Sequence, residues 1–459
     1  MHSRPIGRLA LVVAVLALAA FDAHANSPPQ ISGTPATVAT VAEPYAFQPT
    51  ASDPEGSRLR FKINGKPVWA TFNSATGKLY GTPQSAHVGT YSNIRISVSD
   101  GRLTAALPAF SVTVAQPKPP PKKANYGHYF ATRYADTPAD AAMLCEQAGV
   151  RGVVWRTTWG EIERSAGEYD FSSFDAVLAA LAGSHNPQCQ LWLFIEYKSF
   201  ASSPVKNPCP AYLQAAHSAL NASGNGAATC FMWEPVVVSA YAAMLKAAAA
   251  RYDGNARVEG LILQESALGF SGEYSQDVAD GGTYTAAAWR DALVELVEQC
   301  AAAFPTSRCM SYLNFLRGGQ QYLYDVSAAI ASVPDNRACI SGPDILPNAP
   351  NLYTGTAPIY EVIVRHAGCR SNSAQHASYD VEGCDLACIF QFGVGGTFGD
   401  FPEDAPLTGG LCINSYLFWT HRVSPTASGV DWTHALPIIA AYPYGPAWLD
   451  QCTGGGAPP

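Results

Sequence analysis

Val258-Glu-Gly-Leu-Ile-Leu-Gln-Glu265 is a short, largely apolar run that stops on a carboxylate, and the helix-length segment Thr285 to Phe304 separates it from the next run, Cys309 to Leu316. A run of this kind fits a strand buried on both faces, and strand, helix, strand in succession fits a parallel pair joined by a crossover. The alternation spreads outward in both directions. Upstream stand Tyr126 to Thr132, Gly152 to Thr157 and Gln190 to Glu196; downstream stand Ala338 to Ile345, a more polar stretch Ser373 to Tyr379, and Cys412 to Thr420. Helical segments Pro138 to Ala148, Phe174 to Leu181, Val236 to Tyr252 and Tyr322 to Ser332 separate most of these. Eight such strands predict a parallel (β/α)8 TIM barrel over residues 125–452 more readily than an open sheet. No GxGxxG follows the first strand, so a nucleotide-binding open sheet has no support.

Ahead of this region lies Gln116 to Lys123, QPKPPPKK, whose prolines predict an extended, solvated linker over residues 117–124. Residues 27–116 contain no cysteine and read differently. Alternating runs such as Arg58 to Ile63 and Asn93 to Val98, punctuated by Asp53-Pro-Glu-Gly56 and Asn64-Gly65, predict a small all-β sandwich. Residues 453–459 read as a flexible tail. At the N-terminus, Arg4 and Arg8 precede the apolar run Leu9 to Phe21, and Ala23-His24-Ala25 follows as a small-x-small cleavage site. Residues 1–25 therefore read as a signal peptide, with an uncleaved anchor as the alternative. The mature chain is expected to be secreted, extracellular or periplasmic, with no transmembrane segment after cleavage.

At 48% hydrophobic and 14% charged, the 459 residues suit globular cores, and a net charge of -8 with no basic stripe argues against a nucleic-acid partner. All twelve cysteines fall between Cys145 and Cys452, which in an exported chain favours disulfides over metal ligation. Cys384 and Cys388 have no companion motif that would make a zinc site. No cofactor or metal is expected, the cysteine pairing stays open, and nothing in the sequence fixes an oligomeric state.

Residues 27–116 resemble the immunoglobulin or dystroglycan-type cadherin-like modules of bacterial surface and secreted proteins. The resemblance rests on Tyr45-Ala-Phe47, Ala51-Ser-Asp-Pro-Glu-Gly56, Pro67-Val-Trp69, Phe72, Thr76-Gly77, Leu79-Tyr-Gly-Thr-Pro83, Gly89-Thr-Tyr91 and Val98-Ser-Asp-Gly101. It implies that Asp53, Glu55 and Asp100 could bind calcium. The residues themselves also fit turns, each aspartate standing beside Gly or Pro, and three oxygen ligands are few for a hard cation.

In a barrel of this kind functional groups gather where strands end at their C-termini. Arg156 closes the second strand, Glu196 the third, Glu265 the fourth, Asp344 the sixth and Trp419 the eighth. Residues Asn125 to Asp450 look like clan A glycoside hydrolases, the retaining (β/α)8 enzymes. Three stretches carry the likeness: Trp159-Gly-Glu-Ile-Glu163 with Gly167-Glu-Tyr-Asp-Phe171 and Phe174-Asp175, then Gln264-Glu265, then Trp419. The resemblance implies a carbohydrate substrate and makes Glu265 the general acid/base. It also implies a glutamate on the seventh strand, where this chain has Gln375 and His376, and a glutamine cannot form a glycosyl ester.

Glycoside cleavage requires one carboxyl that holds its proton and one that does not. Asp344 is the first candidate for the second carboxylate, with Glu196, and Asp380 if the strand boundary slips, as alternatives. Each could instead be paired with a base such as Arg156 to tie loops together. Arg156, Trp159, Tyr197, Gln264, Gln375, His376, Tyr379 and Trp419 are the expected substrate-binding residues. By strand alternation Trp155 and Trp192 should point outward to the helices, leaving Trp159 and Trp419 as stacking platforms. The competing reading is a non-catalytic carbohydrate-binding or adhesion protein whose barrel has lost its nucleophile. A Ser-His-Asp hydrolase has no GxSxG after a strand to support it.

Overall fold

A computed structural model of the chain describes residues 26–117, 119–132, 134–199, 207–220, 228–268, 284–316, 318–344, 359–366, 368–374, 413, 415–420, 435–441 and 444. It divides into two compact units, Met1–Lys118 and Pro119–Pro459.

The first unit is an all-β sandwich. Val38–Thr40, Phe110–Ala115, Gly89–Ser99 and Arg60–Asn64 are neighbours in one sheet, and Tyr45–Phe47, Leu79–Gly81 and Thr71–Phe72 form another. Pairing is antiparallel except between Val38–Thr40 and Phe110–Ala115, which run parallel. Leu79, Ile94, Ile96, Val112 and Val114 fill the core with Trp69, whose ring meets Tyr45 and Tyr91 edge-on at 5.6 and 6.1 Å. The two aspartates weighed as calcium ligands close turns. Asp53 Oδ1 accepts the backbone N–H of Glu55 and Ser57 (3.1 and 2.9 Å), and Asp100 Oδ1 accepts those of Arg102 and Leu103 (2.6 and 2.7 Å). Glu55 accepts from the backbone N–H and hydroxyl of Ser27.

The second unit is a closed barrel of eight parallel strands: Gly127–Ala131, Val150–Thr158, Gln190–Glu196, Val258–Leu263, Arg308–Tyr312, Ala338–Asp344, Cys369–Ala374 and Tyr416–Thr420. The first strand pairs with the eighth from Gly127↔Tyr416 to Ala131↔Thr420, which closes the ring and leaves no edge. Helices Pro138–Cys145, Ser172–Ala182, Pro235–Tyr252, Ala286–Ala303 and Tyr322–Ser332 occupy the crossovers read from sequence, and Ile359–Arg365 and Ala435–Ala441 add two more.

Alternation sorts the third strand cleanly. Leu191, Leu193 and Ile195 join the layer under the helices, whereas Trp192 and Phe194 fill the barrel interior with Tyr129, Ile262 and Met310. This corrects the outward orientation expected of Trp192, whose ring meets Tyr416 inside the barrel at 5.0 Å. Room for that indole comes from Gly260, where a Cβ would lie 2.5 Å from Trp192 Cζ3 and 2.1 Å from the Arg308 carbonyl. Trp155 does face outward, its Nε1 donating to Ser173 Oγ at 2.9 Å.

The proline-lysine stretch is less detached than its composition suggests. Lys122 Nζ donates to the carbonyls of Asn255 (2.8 Å) and Val258 (3.0 Å) and to Ser307 Oγ (2.7 Å). Its backbone N–H donates to Thr306, and Arg308 donates back to its carbonyl. This end of the stretch is therefore part of the barrel, where the sequence predicted a solvated linker.

Disulfides join Cys145 to Cys189, Cys209 to Cys230, Cys300 to Cys309 and Cys339 to Cys369. Cys384, Cys388, Cys412 and Cys452 lie outside the described residues. Among the described residues no helix is long and apolar enough to cross a membrane.

Candidate active site

The C-terminal ends of the third and fourth strands bring two glutamates together in unlike surroundings. Glu196 continues the inward row of Trp192 and Phe194 and is buried, at 1% exposure. The Tyr134 hydroxyl donates to its Oε2, and Arg156 Nη1, from the second strand, stands 3.5 Å from its Oε1. Burial holds the Glu196 carboxyl above the usual carboxylate range, and the nearby charge of Glu265 adds to this, against the opposing pull of Arg156, Tyr134 and Lys198.

Glu265 lies just past the fourth strand, adjacent in register to the third. Lys198 Nζ is 3.0 Å from its Oε1, and Asn314 Nδ2 donates to its Oε2 at 2.5 Å. Each oxygen thus has a donor, an arrangement that matches an acceptor-only carboxylate. Lys198 is itself buried, at 1% exposure, and burial pushes its ammonium below the usual lysine range while Glu265 and Glu196 pull it back. Its Nζ also donates to the Ala267 carbonyl.

The remaining expected residues divide sharply. Arg156 sits in the site, its guanidinium 5.8 Å from the centre of the Tyr134 ring and 5.3 Å from that of Phe194. A cleft of about 260 Å³ opens on Tyr134 and Arg156 and is walled by Trp155, Thr157, Glu161, Arg164, Asp170, Ser172 and Ser173. Gln264 acts as a clamp rather than a ligand-facing group. Its Oε1 accepts the backbone N–H of Tyr197 and Lys198 (2.7 and 2.8 Å), and its Nε2 donates to the Lys198 carbonyl at 3.0 Å.

Tyr197 is buried on the helix side, its hydroxyl donating to the Gln264 carbonyl and its ring edge-on to Tyr241. Trp159 and Trp419 have no exposed ring face. Trp159 packs edge-on against Tyr241 at 5.1 Å, and Trp419 Nε1 donates to His128 Nδ1 at 3.0 Å. As platforms for a sugar they are corrected to core residues: both point outward from the barrel, and the helix layer covers them.

Asp344 ends the sixth strand with its backbone opposite Ser373, and its side chain lies outside the described residues. Gln375, His376, Tyr379 and Asp380 lie outside them too. Sequence reasoning missed Lys198, Asn314 and Tyr134. The Glu-Tyr-Lys ending of the third strand was the one available signal, since a lysine two residues past an inward glutamate is well placed to meet a carboxylate from the next strand. Among the described residues no group of three His, Cys, Asp or Glu side chains could hold a metal ion.

Residues 28–115 match the family model "Putative Ig domain". A comparison with curated proteins yields no match. Among solved structures, the GH5_18 protein of Streptomyces cattleya in complex with Manβ1-4GlcNAc is similar at 13% identity over 66% of this chain and 73% of that one, with a TM-score of 0.43. Endo-glycoceramidase II from a Rhodococcus species is similar at 14% identity over 67% and 76%, TM-score 0.42. A family 39 glycoside hydrolase from Bacteroides cellulosilyticus is similar at 12% identity over 87% and 77%, TM-score 0.37.

Proposed function

We propose that the chain is an exported glycoside hydrolase that cleaves O-glycosidic bonds of a poly- or oligosaccharide with Glu196 and Glu265. The observation that carries this reading is the pair of adjacent glutamates in unlike environments, one buried and pushed above the usual carboxylate range, the other gripped by Lys198 and Asn314. Acid-assisted glycoside cleavage requires two carboxyl groups, one that gives a proton and one that does not. The roles are the reverse of those the sequence resemblance implied: Glu196 gives its proton to the leaving oxygen, and Glu265 attacks the anomeric carbon or takes a proton from the attacking water. Arg156 and Tyr134, which contact Glu196, also line the cleft of about 260 Å³. The disulfides and the signal-like residues 1–25 support export.

Reducing-sugar release across a panel of glycans tests this. The wild type should release sugar from at least one, and Glu196→Gln and Glu265→Gln should each lose about 10²- to 10⁴-fold in rate. A panel on which the wild type releases nothing supports the second reading, a carbohydrate-binding protein. That reading draws on Gln375 and His376, which stand where clan A enzymes have a glutamate.

A further inference from the structure

Lys198 is a buried basic side chain at the barrel mouth whose role in the two-carboxylate scheme goes beyond simple contact with Glu265. A buried ammonium persists only where its charge is matched and its protons are taken up. Here Glu265 Oε1 at 3.0 Å and the Ala267 carbonyl do so. The backbone is pinned as firmly as the side chain. Gln264 accepts the Lys198 N–H and donates to its carbonyl, and a bridge to Thr229 holds the same residue from the other side. These contacts fix where the side chain starts, and the Glu265 and Ala267 oxygens fix where its ammonium ends.

We propose that Lys198 is the positioning residue that sets the two carboxylates apart, its ammonium gripping and aiming Glu265 while Glu196 is left to Arg156 and Tyr134. The inference rests on the hydrolase reading. It follows from asymmetry: among the described residues Lys198 makes direct contact with Glu265 at 3.0 Å, whereas the direct partners of Glu196 are Arg156 at 3.5 Å and the Tyr134 hydroxyl, and Lys198 acts on it only at longer range. Among the described residues the other titratable groups facing this cluster are Tyr134, Tyr197 and Tyr241, and burial pushes the last two well above the usual tyrosine range, so the charges here are those of Glu196, Glu265, Lys198 and Arg156.

The test is the pH profile of kcat/KM for wild type and Lys198→Met on whichever glycan the wild type cleaves. The acid limb reports the group that must be ionised. Removing a cation in direct contact should move that limb up by about one to three pH units, with KM changing far less than kcat at pH 5. A loss of activity with the acid limb unmoved would overturn the assignment, because a purely structural lysine lowers the rate without moving it.

A thermal-melting cycle covers the case in which Lys198→Met folds poorly. Lys198→Met should melt well below wild type, since it strands a buried carboxylate, and Lys198→Met with Glu265→Gln should recover much of the loss. Additive effects in that cycle would overturn the pairing. Wild-type protein that cleaves no glycan defeats the hydrolase reading instead, and the melting cycle still decides whether Lys198 and Glu265 act as a pair.

Discussion

Trp159 Nε1 donates to Glu163 Oε2 at 2.7 Å inside the protein, and the other oxygen of Glu163 accepts from the Gly167 N–H (2.8 Å) and the Tyr212 hydroxyl (2.9 Å). This one carboxylate ties a short helix, the hairpin after it and a distant helix together. Glu163, in the segment that most resembled glycosidase sequences, is thus taken up in holding the fold together. Glu161 in the same segment is likewise taken up, accepting from the N–H and hydroxyl of Thr158 as a helix cap.

Glu163→Ala should therefore cost roughly 1 to 3 kcal/mol, because the buried Trp159 indole N–H loses its acceptor while the Gly167 N–H and the Tyr212 hydroxyl, on exposed residues, can turn to water. Urea unfolding measures this. Glycan cleavage well below the melting range should stay near the wild-type rate, which separates this glutamate from Glu196 and Glu265.

Glu196→Gln should change stability in a pH-dependent way. Burial raises the Glu196 carboxyl above its usual range, so its contribution is fully present below the ordinary 4.5 and is lost as pH rises through the folded value. Glutamine keeps the neutral form at every pH. The variant should melt close to wild type at pH 4 and above it at pH 8. Melting curves that run parallel between those pH values would contradict the protonated state assigned to Glu196.

His366 makes the opposite kind of prediction. It is buried, its Nδ1 is 2.9 Å from Ser327 Oγ, and burial with Arg370 nearby pushes it down to about 4. Its contribution is present above the ordinary 6.5 and lost as pH falls toward 4, a change of up to about 3 kcal/mol. Urea unfolding of His366→Gln between pH 7 and pH 4 should show a shallower loss than wild type.

Lys122 tests whether the proline-lysine stretch belongs to the barrel. Lys122→Ala strands the Asn255 and Val258 carbonyls and should cost roughly 1 to 3 kcal/mol. A solvated lysine in a linker would give a change within about 0.5 kcal/mol on replacement. Chemical unfolding at pH 7 distinguishes the two.

The sequence made the barrel legible because parallel strands buried on both faces stand out as apolar runs, and seven of the eight fall on such runs. The exception is instructive: Cys369-Arg-Ser-Asn-Ser-Ala374 has no apolar run, so the sequence placed this strand four residues late, at Ser373. The same double burial hides which residues face inward. With Leu191 to Glu196 buried on both sides, no polar face fixed the phase, and Trp192 was assigned to the wrong layer. Lys198 and Lys122 went unread because a lysine beyond a strand or among prolines is ordinarily solvated. What buries them comes from partners 67 and more than 130 residues distant, such as Glu265 for Lys198 and Asn255 and Val258 for Lys122.

The most direct test of the central claim compares Glu196→Gln and Glu265→Gln on a natural glycan and on a dinitrophenyl glycoside of the same sugar, whose leaving group needs no proton. Glu196→Gln should lose at least about 100-fold on the glycan and far less on the dinitrophenyl substrate, while Glu265→Gln should lose heavily on both. Equal losses by Glu196→Gln on the two substrates, or sparing of the activated one by Glu265→Gln alone, would contradict the division of labour between the two glutamates.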